Sequence, residues 1–175
     1  MGPEAVADHE PVHVIRDASF FSTRFPAVVV LGNPGGGKST LAQGYCLALA
    51  NACAKDGFRL PIFIRVREYH AATRKDPNLQ ILTYILRRLS QLSESYQVDE
   101  LINPIRNLLH SDRCICIFDG LDEILQVTDR ISVVNQVTRF ISQWPLNSFF
   151  TTSRPQGYSE APLPRSFHQA TIAFR

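Results

Sequence analysis

Nine consecutive residues constrain this chain more than any others: Gly32, Asn33, Pro34, Gly35, Gly36, Gly37, Lys38, Ser39 and Thr40. They fit the phosphate-loop pattern G-x-x-x-x-G-K-(S/T), with Gly32, Gly37, Lys38 and Ser39 at the fixed positions. The flanks decide whether such a match is a site. Residues 26–31 (Pro-Ala-Val-Val-Val-Leu) are short, apolar and β-branched, which predicts a buried strand. Residues 41–54 predict a helix, with Leu41, Tyr45, Leu49 and Ala52 at helical spacing and Gly57 as its C-terminal cap. A loop between strand and helix that wraps an anion must bring backbone N–H groups close to it. Glycines remove the side chains that would block this approach and accept positive φ. The helix then opens with unpaired N–H groups aimed at the phosphates. Lys38 supplies a mobile positive charge, and the Ser39 hydroxyl is a ligand for Mg²⁺.

A loop of this kind needs a partner acid at the C-terminal end of a neighbouring buried strand, to hold Mg²⁺ through its water shell. Asp119 fits, because it closes the apolar run 114–118 (Cys-Ile-Cys-Ile-Phe). The acids Asp122 and Glu123 follow at once, and like charges this close are costly unless a cation or proton chemistry uses them. Either one is a candidate for acting on an attacking water, Glu123 foremost and Asp122 as a second acidic contributor. Gly120 leaves room beside them. Arg154 lies just past the apolar strand expected over 148–152, where it would point at the terminal phosphate.

The rest of the chain reads as alternating strands and helices. Residues 61–67 are expected as a strand with Ile62, Ile64 and Val66 on one face. Residues 70–78 are polar and read as a loop. Leu79, Leu82, Ile85, Leu86 and Leu89 mark an amphipathic helix, with Arg87 and Arg88 on its solvated side. A short helix is expected from Pro104 to Leu109 with Asn103 as cap. Ile131, Val134, Val137, Phe140 and Ile141 mark another, closed by Trp144 and Pro145, and residues 169–174 form a last strand. This alternation predicts an α/β fold: a parallel sheet with helices on both faces. Residues 1–25 show no clear periodicity and read as an N-terminal lead-in, with one short element around 12–21.

Composition narrows the class. A chain of 175 residues with 45% apolar content is a globular domain with a real core. A net charge of +2 gives no direct signal for nucleic acid or a membrane surface. There is no run of membrane-span length and no signal-peptide pattern, so the cytosol is the expected compartment. Cys46, Cys53, Cys114 and Cys116 lack C-x-x-C spacing and read as small buried hydrophobes in a reduced compartment.

Four segments in order resemble the NACHT family, within the signal-transducing P-loop NTPases called STAND ATPases. Residues 32–40 resemble its Walker A with an extra Thr, and residues 61–67 its second strand. Residues 119–123 (Asp-Gly-Leu-Asp-Glu) resemble its Walker B, in which a small residue follows the Mg²⁺-linked acid. Residues 152–155 (Thr-Ser-Arg-Pro) resemble its sensor segment. The resemblance covers residues 26–175. It implies a three-layer P-loop NTPase with strand order 5-1-4-3-2, the sensor strand lying between those of Walker A and Walker B. It also implies ATP or GTP with Mg²⁺, low turnover, and a nucleotide-controlled switch in signalling or innate immunity. Family members carry a helical and winged-helix region beyond the last strand. The expectation is therefore a domain of a larger parent chain, working with its other domains and with a homo-oligomer formed on activation. Two other functions stay open at this point: a P-loop phosphotransferase such as a small-molecule kinase, and a nucleotide-binding scaffold that does not hydrolyse.

Overall fold

The computed structural model describes residues 26–56, 59–92 and 95–172. Five strands make one parallel sheet: β1 (Ala27–Leu31), β2 (Leu60–Arg65), β3 (Cys114–Asp119), β4 (Ser148–Ser153) and β5 (His168–Thr171). Their spatial order is β2-β3-β4-β1-β5, the expected 5-1-4-3-2 read from the other edge. β1, β3 and β4 are buried at every position, as central strands covered on both faces must be. β2 lies at an edge, which explains how it tolerates Pro61. Leu60 donates its N–H to the Arg113 carbonyl at 2.7 Å, so the next N–H would face the open edge, where proline lacks it without loss.

Period-two alternation sorts the core into two layers. Val28 and Val30 of β1, Ile115 and Ile117 of β3 and Phe150 of β4 face helix α1 (Lys38–Asp56), meeting its Ala42, Tyr45 and Leu49. The Tyr45 and Phe150 ring centroids are 5.4 Å apart. Val29, Ile62, Ile64, Cys116, Phe118 and Phe149 face the opposite layer. That layer is built by α2 (Val66–Thr73), α3 (Ile81–Leu92), α4 (Val98–His110) and α5 (Val127–Gln143). The short helix α6 (Pro155–Glu160) follows β4.

Four expectations need correction. The strand over 61–67 ends at Arg65, and Val66 to Thr73, placed partly in the polar loop, are helical. Val66 and Tyr69 are both buried, three residues apart on one helical face. The Tyr69 hydroxyl meets the Leu79 carbonyl at 2.9 Å and the Gln136 side chain of α5, so part of this helix's anchor comes from distant chain. α4 begins at Val98, six residues before Pro104. Its cap is Gln97, whose N–H bonds Glu100 Oε2 at 2.8 Å. Pro104 is exposed, and so is Glu100, whose carbonyl the ring frees; solvent can meet it there. On α5, Val134, Val137 and Phe140 are buried and Ile141 packs against the core as expected, but Ile131 is 43% exposed and Arg130 is buried in its stead. The last strand ends at Thr171. Gly57, the element around 12–21 and residues 173–174 lie outside the described residues.

Asn147 is fully buried and ties three elements together. Its Oδ1 accepts the Cys114 N–H at 3.1 Å, and its Nδ2 donates to the Leu109 and Trp144 carbonyls at 2.6 and 3.2 Å. These bonds hold the start of β3 against the ends of α4 and α5, on the side of the sheet away from the strand C-termini. No helix among the described residues is long and apolar enough to cross a membrane.

Candidate functional site

β1, β4 and β3 lie side by side and in parallel, so their C-terminal ends open on one edge of the sheet. The glycine loop leaves β1 there. Gly32 donates its N–H to the Ser153 carbonyl at 3.2 Å, which pins the loop's first residue to β4. Gly36 closes a turn onto the Asn33 carbonyl at 3.0 Å. Gly35 and Gly37 take φ of 71° and 69°, a region that side chains disfavour, and at Gly35 nothing stands within 4 Å of where a Cβ would lie. α1 starts at Lys38 rather than Leu41, so the last motif residues are already its first turn. Their free N–H groups end at the loop, which sets up an anion cradle. The Lys38 ammonium bonds the Gly32 and Asn33 carbonyls at 2.7 and 3.0 Å.

Across from the loop, Ser39 Oγ donates to Asp119 Oδ1 at 3.1 Å. The same oxygen accepts the Thr152 hydroxyl at 2.6 Å, and that hydroxyl accepts the Gly120 N–H at 2.8 Å. Asp119 is 6% exposed, and Thr152 is fully buried. The ends of β3 and β4 and the first turn of α1 thus converge on one carboxylate. Asp119 and Ser39 offer hard oxygen donors of the kind Mg²⁺ takes. Among the described residues no group of three or more His, Cys, Asp or Glu could hold a metal alone.

The remaining acids have separate settings. Asp122 is 7% exposed at its side chain, and both its oxygens are engaged by Arg154. Oδ1 accepts the Arg154 N–H at 2.9 Å, and Oδ2 meets Arg154 Nε at 2.8 Å. Glu123 is exposed, folds back over Gly120 and lies 3.5 Å from Arg67 Nε. Gly120 sits at φ 81°, and a Cβ there would stand 2.8 Å from the Glu123 carboxyl carbon. The glycine therefore serves two needs, a left-handed turn and space for the Glu123 side chain.

A cleft of 280 Å³ is lined by residues 34–40 and by Gly120, Asp122, Glu123, Thr152 and Arg154. Gly32 and Asn33 lie behind it as acceptors for Lys38, and Asp119 lies behind the lining, bonded to Ser39. Residues 32–40, Asp119, Asp122, Glu123 and Arg154 thus lie in or directly behind one cleft.

A model of the NACHT domain matches residues 26–174. The chain belongs to the NACHT family. No curated protein matches it. Among solved structures this NACHT domain is similar to the Orc1 protein of Aeropyrum pernix in complex with DNA, at 16% identity and TM-score 0.50, over 84% of this chain and 39% of that one. It is also similar to a DNA replication initiation factor, at 13% identity and TM-score 0.49, over 90% and 43%. A third is AMPPCP-bound DnaA from Aquifex aeolicus, at 14% identity and TM-score 0.45, over 85% and 38%. The chain spans about two fifths of each of these structures. The Orc1 likeness is one of fold alone. Family and fold together make this a nucleotide-binding P-loop NTPase domain.

Four further residues shape the NACHT cleft; Thr152 and Arg67 stand out in the sequence only as members of matched segments, and Gly157 and Arg130 not at all. Thr152 joins Asp119 to Gly120. Arg67 faces Glu123. Gly157 packs so tightly that a Cβ would lie 2.6 Å from Asp122 Cβ. Arg130 reaches the acidic turn from α5. For Arg130 the sequence carries no clear signal: its burial follows from Val133, Val134, Val137 and Phe140 sharing its face, where the expected stripe runs through Ile131 instead.

Proposed function

We propose that this domain is a regulatory switch that binds Mg–ATP or Mg–GTP and hydrolyses it slowly. Residues 26–175 form the NTPase unit, and residues 1–25 lead into it. The observation that carries the reading is the 3.1 Å contact of Ser39 with Asp119, beside a glycine loop with the required positive φ angles. In this reading residues 32–40 hold the phosphates, and Ser39 and Asp119 hold Mg²⁺. When bound, the ion neutralises charge on the phosphate oxygens. Glu123 orients the attacking water. Arg154 meets the terminal phosphate, and Asp122 fixes the arginine's position, so their contact changes when that phosphate leaves.

Family membership supports a parent chain with further domains, self-association on activation, and a cytosolic role in signalling or immune defence. Slow turnover agrees with a Glu123 carboxylate that already shares the Arg67 cation. Turnover and binding by the purified chain, with ATP and GTP, with and without Mg²⁺, test the reading. Expected are Mg²⁺-dependent binding and hydrolysis too slow for a metabolic enzyme. Equal binding by wild type and Lys38→Ala would refute the site. Phosphate transfer to an added small-molecule acceptor in preference to water would replace the switch with a kinase.

A further inference from the structure

Arg130 is the one arginine buried among the described residues, 5% exposed on a helix whose other inward residues are apolar. A buried guanidinium needs partners that repay its lost hydration. Nε and Nη2 both donate to the Ile124 carbonyl, at 3.1 and 2.7 Å. Nη1 donates to the Gly157 carbonyl at 3.4 Å and pairs with Glu160. Ile124 directly follows Glu123. Gly157 lies in α6, which starts directly after Arg154 and rests against Asp122. One planar cation therefore holds the two segments that carry Glu123 and Arg154.

We propose that Arg130 is a positioning residue for the terminal-phosphate end of the cleft. It sets the spacing between the acidic turn 121–123 and helix α6. Through Gly157 it also sets the placement of Asp122 under Arg154. Packing alone does not call for a charge here, since an aliphatic side chain would fill the same stripe. A lysine does not replace it: a single ammonium lacks the rigid fork that reaches two carbonyls and a carboxylate on opposite sides. This inference rests on the nucleotide reading given above, but its first test does not.

In the nucleotide-free protein, hydrogen exchange is followed in wild type, Arg130→Lys, Arg130→Met and Glu160→Gln. The Glu123 amide bonds the Gly120 carbonyl at 3.0 Å, and the Tyr158 amide bonds the Arg154 carbonyl at 2.9 Å. Both amides should lose protection in the two Arg130 variants while β1 and α1 keep theirs. Glu160→Gln, which spares the carbonyl contacts, should show a smaller loss. With nucleotide, Arg130→Lys should bind ADP within about twofold of wild type yet hydrolyse ATP on the order of 10- to 100-fold more slowly, as expected of a displaced catalytic geometry. If Arg130→Met does not fold, Arg130→Lys and Glu160→Gln decide the matter. Unchanged local exchange in Arg130→Lys overturns the proposal. So does loss of protection spread evenly over the sheet with equal loss of both nucleotides, which is a structural role only. Failure of the wild type to bind nucleotide would sink the nucleotide reading, and the exchange result would still decide whether Arg130 clamps the two segments.

Discussion

The Ser39 hydroxyl and the Asp119 carboxylate stand 3.1 Å apart although 80 positions separate them in sequence. The contact exists because β4 runs between β1 and β3 and supplies Thr152, whose hydroxyl donates to the same Asp119 oxygen. The Gly120 N–H completes the set by donating to Thr152. The buried carboxylate thus has hydroxyl donors from the strand beside it and from the helix after the glycine loop. That satisfaction keeps a charge stable at a position with 6% exposure.

Thr152→Val keeps the shape and removes the hydroxyl. It leaves the buried Gly120 N–H without its acceptor and takes one of two hydroxyl donors from Asp119 Oδ1, which costs about 1–3 kcal/mol. Chemical denaturation should show this loss, and Mg²⁺-dependent nucleotide binding should weaken with it. Thr152→Ser should restore both. Wild-type stability in the valine variant would mean that Thr152 is not part of the relay.

Lys38→Ala removes the ammonium that reaches the Gly32 and Asn33 carbonyls in the loop. Losing one charge-assisted contact to phosphate weakens binding by about 2–3 kcal/mol, on the order of 30- to 150-fold in Kd. Calorimetric titration with ATP and GTP measures it. An unchanged Kd would place the nucleotide elsewhere.

Glu123→Gln retains the side-chain volume over Gly120 and removes the negative charge near Arg67. Binding should persist while hydrolysis drops by about 10²–10⁴, the range for a lost acid–base group. Single-turnover assays separate the two. Normal turnover would transfer the role away from Glu123.

Arg154→Ala strips Asp122 of the guanidinium at 2.8 Å but leaves the backbone N–H at 2.9 Å. Arg154 is half exposed, so screening limits the cost to about 1–2 kcal/mol, well below that of breaking a fully buried pair. The sharper readout is ligand preference: the ratio of ATP to ADP affinity should fall towards one. A preserved ratio would leave Arg154 as a tether for Asp122 and nothing more.

Local chemistry made much of this architecture legible. A β-branched run, three glycines and a lysine are bound to neighbouring positions, and the acid ending the 114–118 run needs only the strand before it. What escaped was set by chain from far away. Val66 continues the alternation of Ile62 and Ile64, yet it enters a helix whose Tyr69 meets Gln136 on α5. Pro104 looks like a helix start because its tolerance inside α4 depends on which face meets solvent. The different settings of Asp122 and Glu123 were equally hidden. The sequence puts Glu123 ahead of Asp122 without naming their partners, and the fold pairs Asp122 with Arg154 and Glu123 with Arg67.

Cys114 and Cys116 lie on one face of β3 and are fully buried, and neither is in a disulfide. Burial pushes the Cys114 thiol up to about 12 and the Cys116 thiol well above its ordinary 9.0. The native state therefore keeps both protons when the unfolded chain begins to lose them. Above pH 9 the unfolded state binds fewer protons, so unfolding becomes easier as pH rises. The stabilising difference is whole below pH 9 and declines from there to about pH 12. Urea midpoints should hold steady from pH 7 to 8.5 and fall between pH 9 and 11. Burial also raises Tyr69, to about 12, so the tyrosine adds to the decline above its ordinary 10.0. Cys114→Ala with Cys116→Ala should flatten the earlier part of the slope. At pH 8 a thiol reagent should reach Cys114 and Cys116 only after denaturation, because a buried thiol in an apolar layer yields almost no thiolate. Rapid labelling of both in the folded protein would show that β3 is open to solvent, contrary to its place between β2 and β4 inside the sheet.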